Sequence, residues 1–124
     1  AMGEPAGLRG LVVANAPASM PLWLSALPAA QEEAMLRVAQ EALHNALRHS
    51  GADRVDVSIA PRGQGAVLSV TDNGKGFEPR TVRRAGRHLG LVSMRDRSSG
   101  VGGRLTVQSA PGQGTTIEME VPGG

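Results

Sequence analysis

Twice in this chain an alternating apolar run meets a short turn containing Gly-Gln-Gly and then a second alternating run. "RVDVSIA" sets Val55, Val57 and Ile59 on one side, "PRGQG" turns the chain, and "AVLSVTD" returns with Leu68, Val70 and Asp72 on one face. Later, "RLTVQS", with Leu105 and Val107, is joined through "APGQG" to "TTIEMEV", with Ile117, Met119 and Val121. Strands that arrive as hairpins build a mostly antiparallel sheet, and its apolar face needs helices over it. Gln31 to His49 supplies one, with Met35, Ala39, Ala42, Leu43, Ala46 and Leu47 at helical spacing and Gly51 as a stop. "GLVSMRDRSS" reads as a short second helix, Leu91 and Met94 inward and Gly100 past its end. Upstream, "LRGLVVAN" is strand-like and "PLWLSALP" is a short apolar stretch closed by Pro28. The order predicts an α+β fold: a two-layer sandwich with a mixed, mostly antiparallel sheet and helices on one face.

At 124 residues the whole chain, 1–124, fits a single domain. Hydrophobic content of 40% with 19% charged residues is that of a soluble globular protein, and no apolar run approaches the roughly 20 residues of a membrane span. No signal peptide is visible, and Ala1 before Met2 resembles an expression scar covering residues 1–2. The absence of cysteine excludes disulfides and thiolate metal sites and agrees with a cytoplasmic location. The net charge is only +2, with the basic residues gathered at Arg80, Arg83, Arg84, Arg87 and His88. Nucleic acid is not the expected partner, because Trp23 and Phe77 are the only aromatic residues available for base stacking.

Period two puts the Asp72 carboxylate on the face of Leu68 and Val70, where a charge needs a strong hydrogen-bond partner. An adenine amino group is one such donor, and Gly74 and Gly76 would let the backbone approach a ligand closely. Asp-Asn-Gly is equally a strong turn sequence, and these residues alone leave both readings open. Glu41 and Asn45 lie four apart on one side of the long helix, with Arg37 a turn before and Arg48 and His49 a turn after. An Asn oxygen suits Mg²⁺ that keeps water and phosphate as its other ligands, and a carboxylate beside it could orient or deprotonate a nucleophile. A plain solvated helix face fits the same row. His44 lies beside the apolar run and reads as a packed or surface histidine. Gly90 opens the short helix, whose free N–H groups would suit a phosphate, whereas Gly112 and Gly114 before Thr115 read first as hairpin turn. No G-x-x-x-x-G-K-S/T occurs, so a P-loop is excluded.

Taken in order, "QEALHNALRHS", "DNGKGF", "HLGLVSMRDR" and "PGQGTTIEMEVP" resemble the N box, the two glycine boxes and the final G-T strand of a GHKL-type (Bergerat) ATP-binding domain. That superfamily is shared by gyrase-type topoisomerases, MutL-type repair proteins and sensor histidine kinases. The forms "QEALHNALRH" and "GLVSMRDR" resemble the sensor kinases that pair with helix-turn-helix (LuxR-type) response regulators. The resemblance covers about residues 31 to 122. It implies Asp72 as acceptor of the adenine amino group, Gly74 and Gly76 as the hinge of an ATP lid over residues 77–89, and Asn45 as the Mg²⁺ ligand. It further implies Glu41 at a general-base position, Arg48 and His49 touching phosphate or ribose, Gly90 with Leu91 beginning the phosphate-facing turn, and Thr115 supporting the pocket floor. Two departures stand out: the lid is short and lacks a phenylalanine-rich box, and Ser93 stands where the class commonly has Gly.

Kinases of this class carry their acceptor histidine in a dimerisation segment resembling E-R-x-R-I-A-x-E-L-H-D, and nothing before Gln31 resembles it. The resemblance therefore implies a catalytic module of a larger kinase, monomeric when isolated, that uses ATP and Mg²⁺. It would phosphorylate a dimerisation domain, and a response regulator indirectly, in the cytoplasm, whether or not the parent is membrane-anchored. The competing expectations are an anti-sigma-factor serine kinase of the same fold and a non-catalytic nucleotide-binding interaction module.

Overall fold

A computed structural model describes residues 12–14, 26–80 and 90–124. Its elements are β1 (Val12–Ala14), α1 (Ala29–Arg48), β2 (Arg54–Arg62), β3 (Gly65–Asp72), α2 (Leu91–Ser99), β4 (Arg104–Ser109) and β5 (Thr115–Val121). They form one five-stranded sheet in the order β1-β2-β3-β5-β4. β2 with β3, β3 with β5 and β4 with β5 are antiparallel, while β1 runs parallel to β2. A parallel neighbour needs a crossover connection, and α1 is that crossover. The expected α+β sandwich with a mixed sheet is the observed architecture. The strand-like "LRGLVVAN" contains β1, whereas residues 21–25 of "PLWLSALP" lie outside the described residues.

One difference concerns the first turn. Pro61 and Arg62, read from sequence as turn, extend β2, and the chain reverses at Gly63 and Gln64. Among the described residues β1 pairs only with Arg54 to Asp56, so no described strand lies along the outer edge of the far end of β2, where a proline without an N–H disrupts no ladder.

Sheet register explains the core. Across β2, β3, β5 and β4 one row reads Ile59, Leu68, Met119, Leu105 and the next Val57, Val70, Ile117, Val107. Onto these rows α1 places Ala34, Met35, Val38, Ala42 and Ala46, and α2 places Met94, with Val38, Ala46, Met94 and Met119 all 0% exposed. The opposite sheet face carries Arg54, Ser58, Thr106 and Gln108, all exposed. Among the described residues, helices therefore cover one face only.

Gln31 was not apparent as a core position. It is 7% exposed, donates Nε2–H to the Gly123 carbonyl (3.0 Å) and accepts from the Gly123 N–H at Oε1 (2.9 Å). One amide thus ties the start of α1 to the end of the sheet. Gln31→Ala leaves a half-buried backbone donor and acceptor without their side-chain partner, and its unfolding free energy in urea should fall by about 1 kcal/mol.

Candidate functional site

The next row of the sheet turns polar: Val55, Asp72, Thr115, Ser109. Period two carried Asp72 to this face as expected, and it is buried at 8% exposure. Its Oδ1 accepts the Gly74 N–H at 2.8 Å. Burial pushes the Asp72 carboxyl above the ordinary aspartate range, while hydrogen bonds from the Gly74 and Thr115 backbone N–H groups pull it partly back. A carboxylate desolvated against an apolar sheet, with a loop beginning at its edge, has the chemistry to accept a hydrogen bond from a ligand N–H.

That loop is fixed on both sides. The Lys75 N–H donates to the Ser50 carbonyl at the end of α1 (2.8 Å), and a methyl group on Gly74 would meet the Ser50 side chain. On the other side the Gly112 N–H donates to the Lys75 carbonyl (2.6 Å), and the Phe77 N–H donates to Ser109 Oγ (2.9 Å). Ser109 Oγ is also within 2.8 Å of Thr115 Oγ1, and it donates to the Gly114 carbonyl at 3.0 Å. The end of α1, the Asp72–Phe77 loop and the β4–β5 turn thus close around one corner of the sheet.

Gly76 needs its lack of a side chain for two reasons: φ is +64°, and a Cβ would strike the Ala110 carbonyl oxygen. Gly112 shares the positive φ (+77°) but has nothing within 4 Å of a built Cβ. Gly112→Ala should therefore cost only about 1 kcal/mol of backbone strain, whereas Gly76→Ala must also displace main chain. Chemical denaturation should show Gly76→Ala as the more damaging by at least about 1 kcal/mol.

Along α1, Glu41 and Asn45 are half-buried, and Arg48 and His49 are exposed at the helix end, where the His49 N–H caps the Asn45 carbonyl at 2.9 Å. Asn45 Oδ1 is shut off from solvent. Glu41 reaches the other helix: Gly90, at φ +73° as the N-cap of α2, lies so close that a Cβ there would collide with Glu41 Oε1. Leu91 follows, packed against the core. His44 is exposed, its ring edge-on to His49 at 6.0 Å between centroids, as a surface histidine.

The structure thus brings Asp72, Gly74, Gly76 and Thr115 together at one sheet corner beside the C-terminal end of α1, and sets Glu41 against Gly90. Of the expected lid, residues 81–89 lie outside the described residues. Sequence reasoning missed Ser50, Ser109 and Asn73, which hold the corner. Asn73 Oδ1 accepts the Asp53 and Arg54 N–H groups, each at 3.1 Å, fastening the loop to the start of β2. The only available signal for Asn73 was its place in the Asp-Asn-Gly turn.

Comparison with known proteins gives the same outline. Over 91 residues the chain is 43% identical to the sensor histidine kinase LiaS of Bacillus subtilis, a match covering 73% of this chain and 25% of that protein. Over 92 residues it is 36% identical to the signal transduction histidine-protein kinase/phosphatase DegS of the same organism, covering 73% and 24%. It thus spans about a quarter of the length of these curated relatives. Among solved structures, the histidine kinase domain of the blue-light activated histidine kinase of Erythrobacter litoralis superposes with a TM-score of 0.64 at 25% identity, over 77% of this chain and 48% of that one. Residues 30–124, from the first turn of α1 to the last residue, match the family described as histidine kinase-, DNA gyrase B-, and HSP90-like ATPase. With the motif residues in one fold and the match running through both described helices and four of the five described strands, the chain is an ATP-binding domain and belongs to this ATPase family.

Proposed function

We propose that this domain binds ATP with Mg²⁺ and donates the γ-phosphate to a histidine on a separate dimerisation segment, as the catalytic module of a two-component sensor histidine kinase. The observation that supports it most is Asp72, a buried carboxylate ending an apolar sheet face, with Gly74 and Gly76 in the loop that leaves it. In this reading Asp72 accepts the adenine amino group, Thr115 backs it from the neighbouring strand, and Gly74 and Gly76 are the hinge from which a lid over residues 77–89 departs. Arg48 and His49 meet phosphate or ribose, and Gly90 with Leu91 turns backbone N–H groups toward the phosphates.

The donor set fits a cation shared with the nucleotide. Among the described residues no three His, Cys, Asp or Glu side chains gather as a metal cage. Asn45 would hold Mg²⁺ by one side-chain oxygen, and the ion would supply charge neutralisation to the phosphates. In this reading Glu41, which packs against Gly90, would accept a hydrogen bond or proton from the incoming nucleophile.

Among the described residues no helix is long and apolar enough to cross a membrane. In the proposed reading the domain works in the cytoplasm, and a response regulator receives the phosphate from the kinase later.

Calorimetric titration with ATP, with and without Mg²⁺, tests the binding step. Wild-type protein should bind ATP more tightly with the metal, and Asn45→Ala should lose that metal-dependent gain. A wild-type domain with no measurable ATP affinity would contradict the reading.

A further inference from the structure

Ser109 is half-buried, and its hydroxyl meets more polar groups than it has protons to give. Its Oγ accepts the Phe77 N–H at 2.9 Å, lies 2.8 Å from Thr115 Oγ1 and is 3.0 Å from the Gly114 carbonyl oxygen. A backbone N–H only donates and a carbonyl only accepts. The single Ser109 proton therefore goes to Gly114, and the contact with Thr115 is paired when Thr115 is the donor. Both lone pairs of Ser109 Oγ are then in use. Thr115 Oγ1, its own proton committed to Ser109, keeps only lone pairs for a ligand.

Thr115 stands between Asp72 and Ser109 in one cross-strand row, and its backbone N–H bonds the Asp72 carboxylate. We infer that Ser109 is a positioning residue for purine selectivity: by taking the Thr115 hydroxyl proton, it leaves the side chains at this corner able only to accept hydrogen bonds. The inference rests on the reading of Asp72 as acceptor of the adenine amino group. Side chains that only accept match an exocyclic amino group, whose N–H bonds both donate, and meet a carbonyl lone pair against lone pair. Without the Ser109 hydroxyl, the Thr115 O–H is free to rotate and donate to such a carbonyl. Ser109 thus acts on the purine through Thr115.

The test compares calorimetric affinities for ATP and for inosine triphosphate, each with Mg²⁺, because the inosine base carries a carbonyl in place of the adenine amino group. Wild type should prefer ATP. Ser109→Ala should reduce that preference by about threefold to tenfold, the worth of one neutral hydrogen bond. Ser109→Cys, close to serine in size with a weak S–H donor, should shift the ratio the same way and keeps the test open if the alanine variant does not fold. Ser109→Thr, which retains the hydroxyl, should keep the wild-type ratio. Thr115→Val removes the hydroxyl whose direction Ser109 sets, so adding Ser109→Ala to it should leave the ratio where Thr115→Val puts it. A purely structural Ser109 predicts something else: releasing the Phe77 N–H loosens the loop for both nucleotides and lowers both affinities without moving their ratio. An unchanged ratio in the Ala and Cys variants, or an equal fall in the Thr115→Val background, would overturn the role of Ser109 and leave Asp72 in the adenine role. A wild-type chain that binds both nucleotides equally would overturn both.

Discussion

Replacing Asp72 by Ala is expected to weaken ATP binding by about 30- to 150-fold, the 2–3 kcal/mol associated with a hydrogen bond to a charged group in a desolvated site. Asp72→Asn should lose nearly as much, because a side-chain amide that keeps the Gly74 N–H satisfied turns its own N–H₂ toward the adenine donor. The wild-type protein should prefer ATP over GTP by tens-fold, since GTP presents a carbonyl where the carboxylate needs a donor. Equal calorimetric affinities for the two nucleotides would remove Asp72 from the adenine role.

The environment of Asp72 also fixes the direction of two pH effects. Burial raises its folded-state pKa above the ordinary 3.8. The folded chain therefore holds this proton more tightly than the unfolded chain does. Its contribution to stability is complete below the unfolded value and is lost as pH rises through the folded one. Relative to Asp72→Asn, the wild-type fold should accordingly lose stability across that window. Nucleotide affinity runs the other way. As pH falls through the raised value, the carboxylate becomes a weaker acceptor, so ATP affinity should drop at a higher pH than an exposed aspartate would dictate. A pH series of ATP titrations on wild type and Asp72→Asn checks both the drop and its assignment.

Glu41→Gln should slow phosphotransfer by about 100- to 1,000-fold while leaving ATP affinity within about threefold of wild type. The amide keeps the size of the side chain and its packing on Gly90 but accepts no proton. Asn45→Ala should show the opposite pattern, with weakened metal-dependent binding. Single-turnover transfer at saturating ATP separates the two. A wild-type rate in Glu41→Gln would reduce Glu41 to a residue that merely packs against α2.

How much of this was legible in the sequence follows from the range of each interaction. The face of Asp72 was legible because strand alternation is local, and the same rule ordered Leu68, Val70, Ile117 and Met119. The helix stripe was legible through Met35, Ala42 and Ala46 for the same reason, although Val38, 0% exposed, falls on it too. Gln31 was not legible, since its burial depends on Gly123, 92 residues away. Ser50 and Ser109 are likewise silent until the fold closes: one meets Lys75 across the layers, and the other meets Phe77, 32 residues distant. The contact between Glu41 and Gly90 was also invisible, because two helices must pack before it exists. Local rules put Asp72, Glu41 and Asn45 on their faces, the order of the four motifs marked them as candidates, and the long-range polar contacts around them required the structure.

The central claim is that this domain supplies phosphate to a histidine it does not itself carry. His44 and His49 are exposed on α1 with their rings edge-on to each other, and no described carboxylate pairs with either. The most direct test incubates the chain with γ-labelled Mg-ATP, alone and with the parent kinase's histidine-bearing segment, and maps any acid-labile phosphate by mass spectrometry. The account predicts no label on the chain alone and label on the segment's histidine when both are present, with transfer rising with segment concentration. Acid-labile phosphate on His44, His49 or His88 of the chain alone, or an ATP-bound chain that leaves the segment unlabelled, would contradict it.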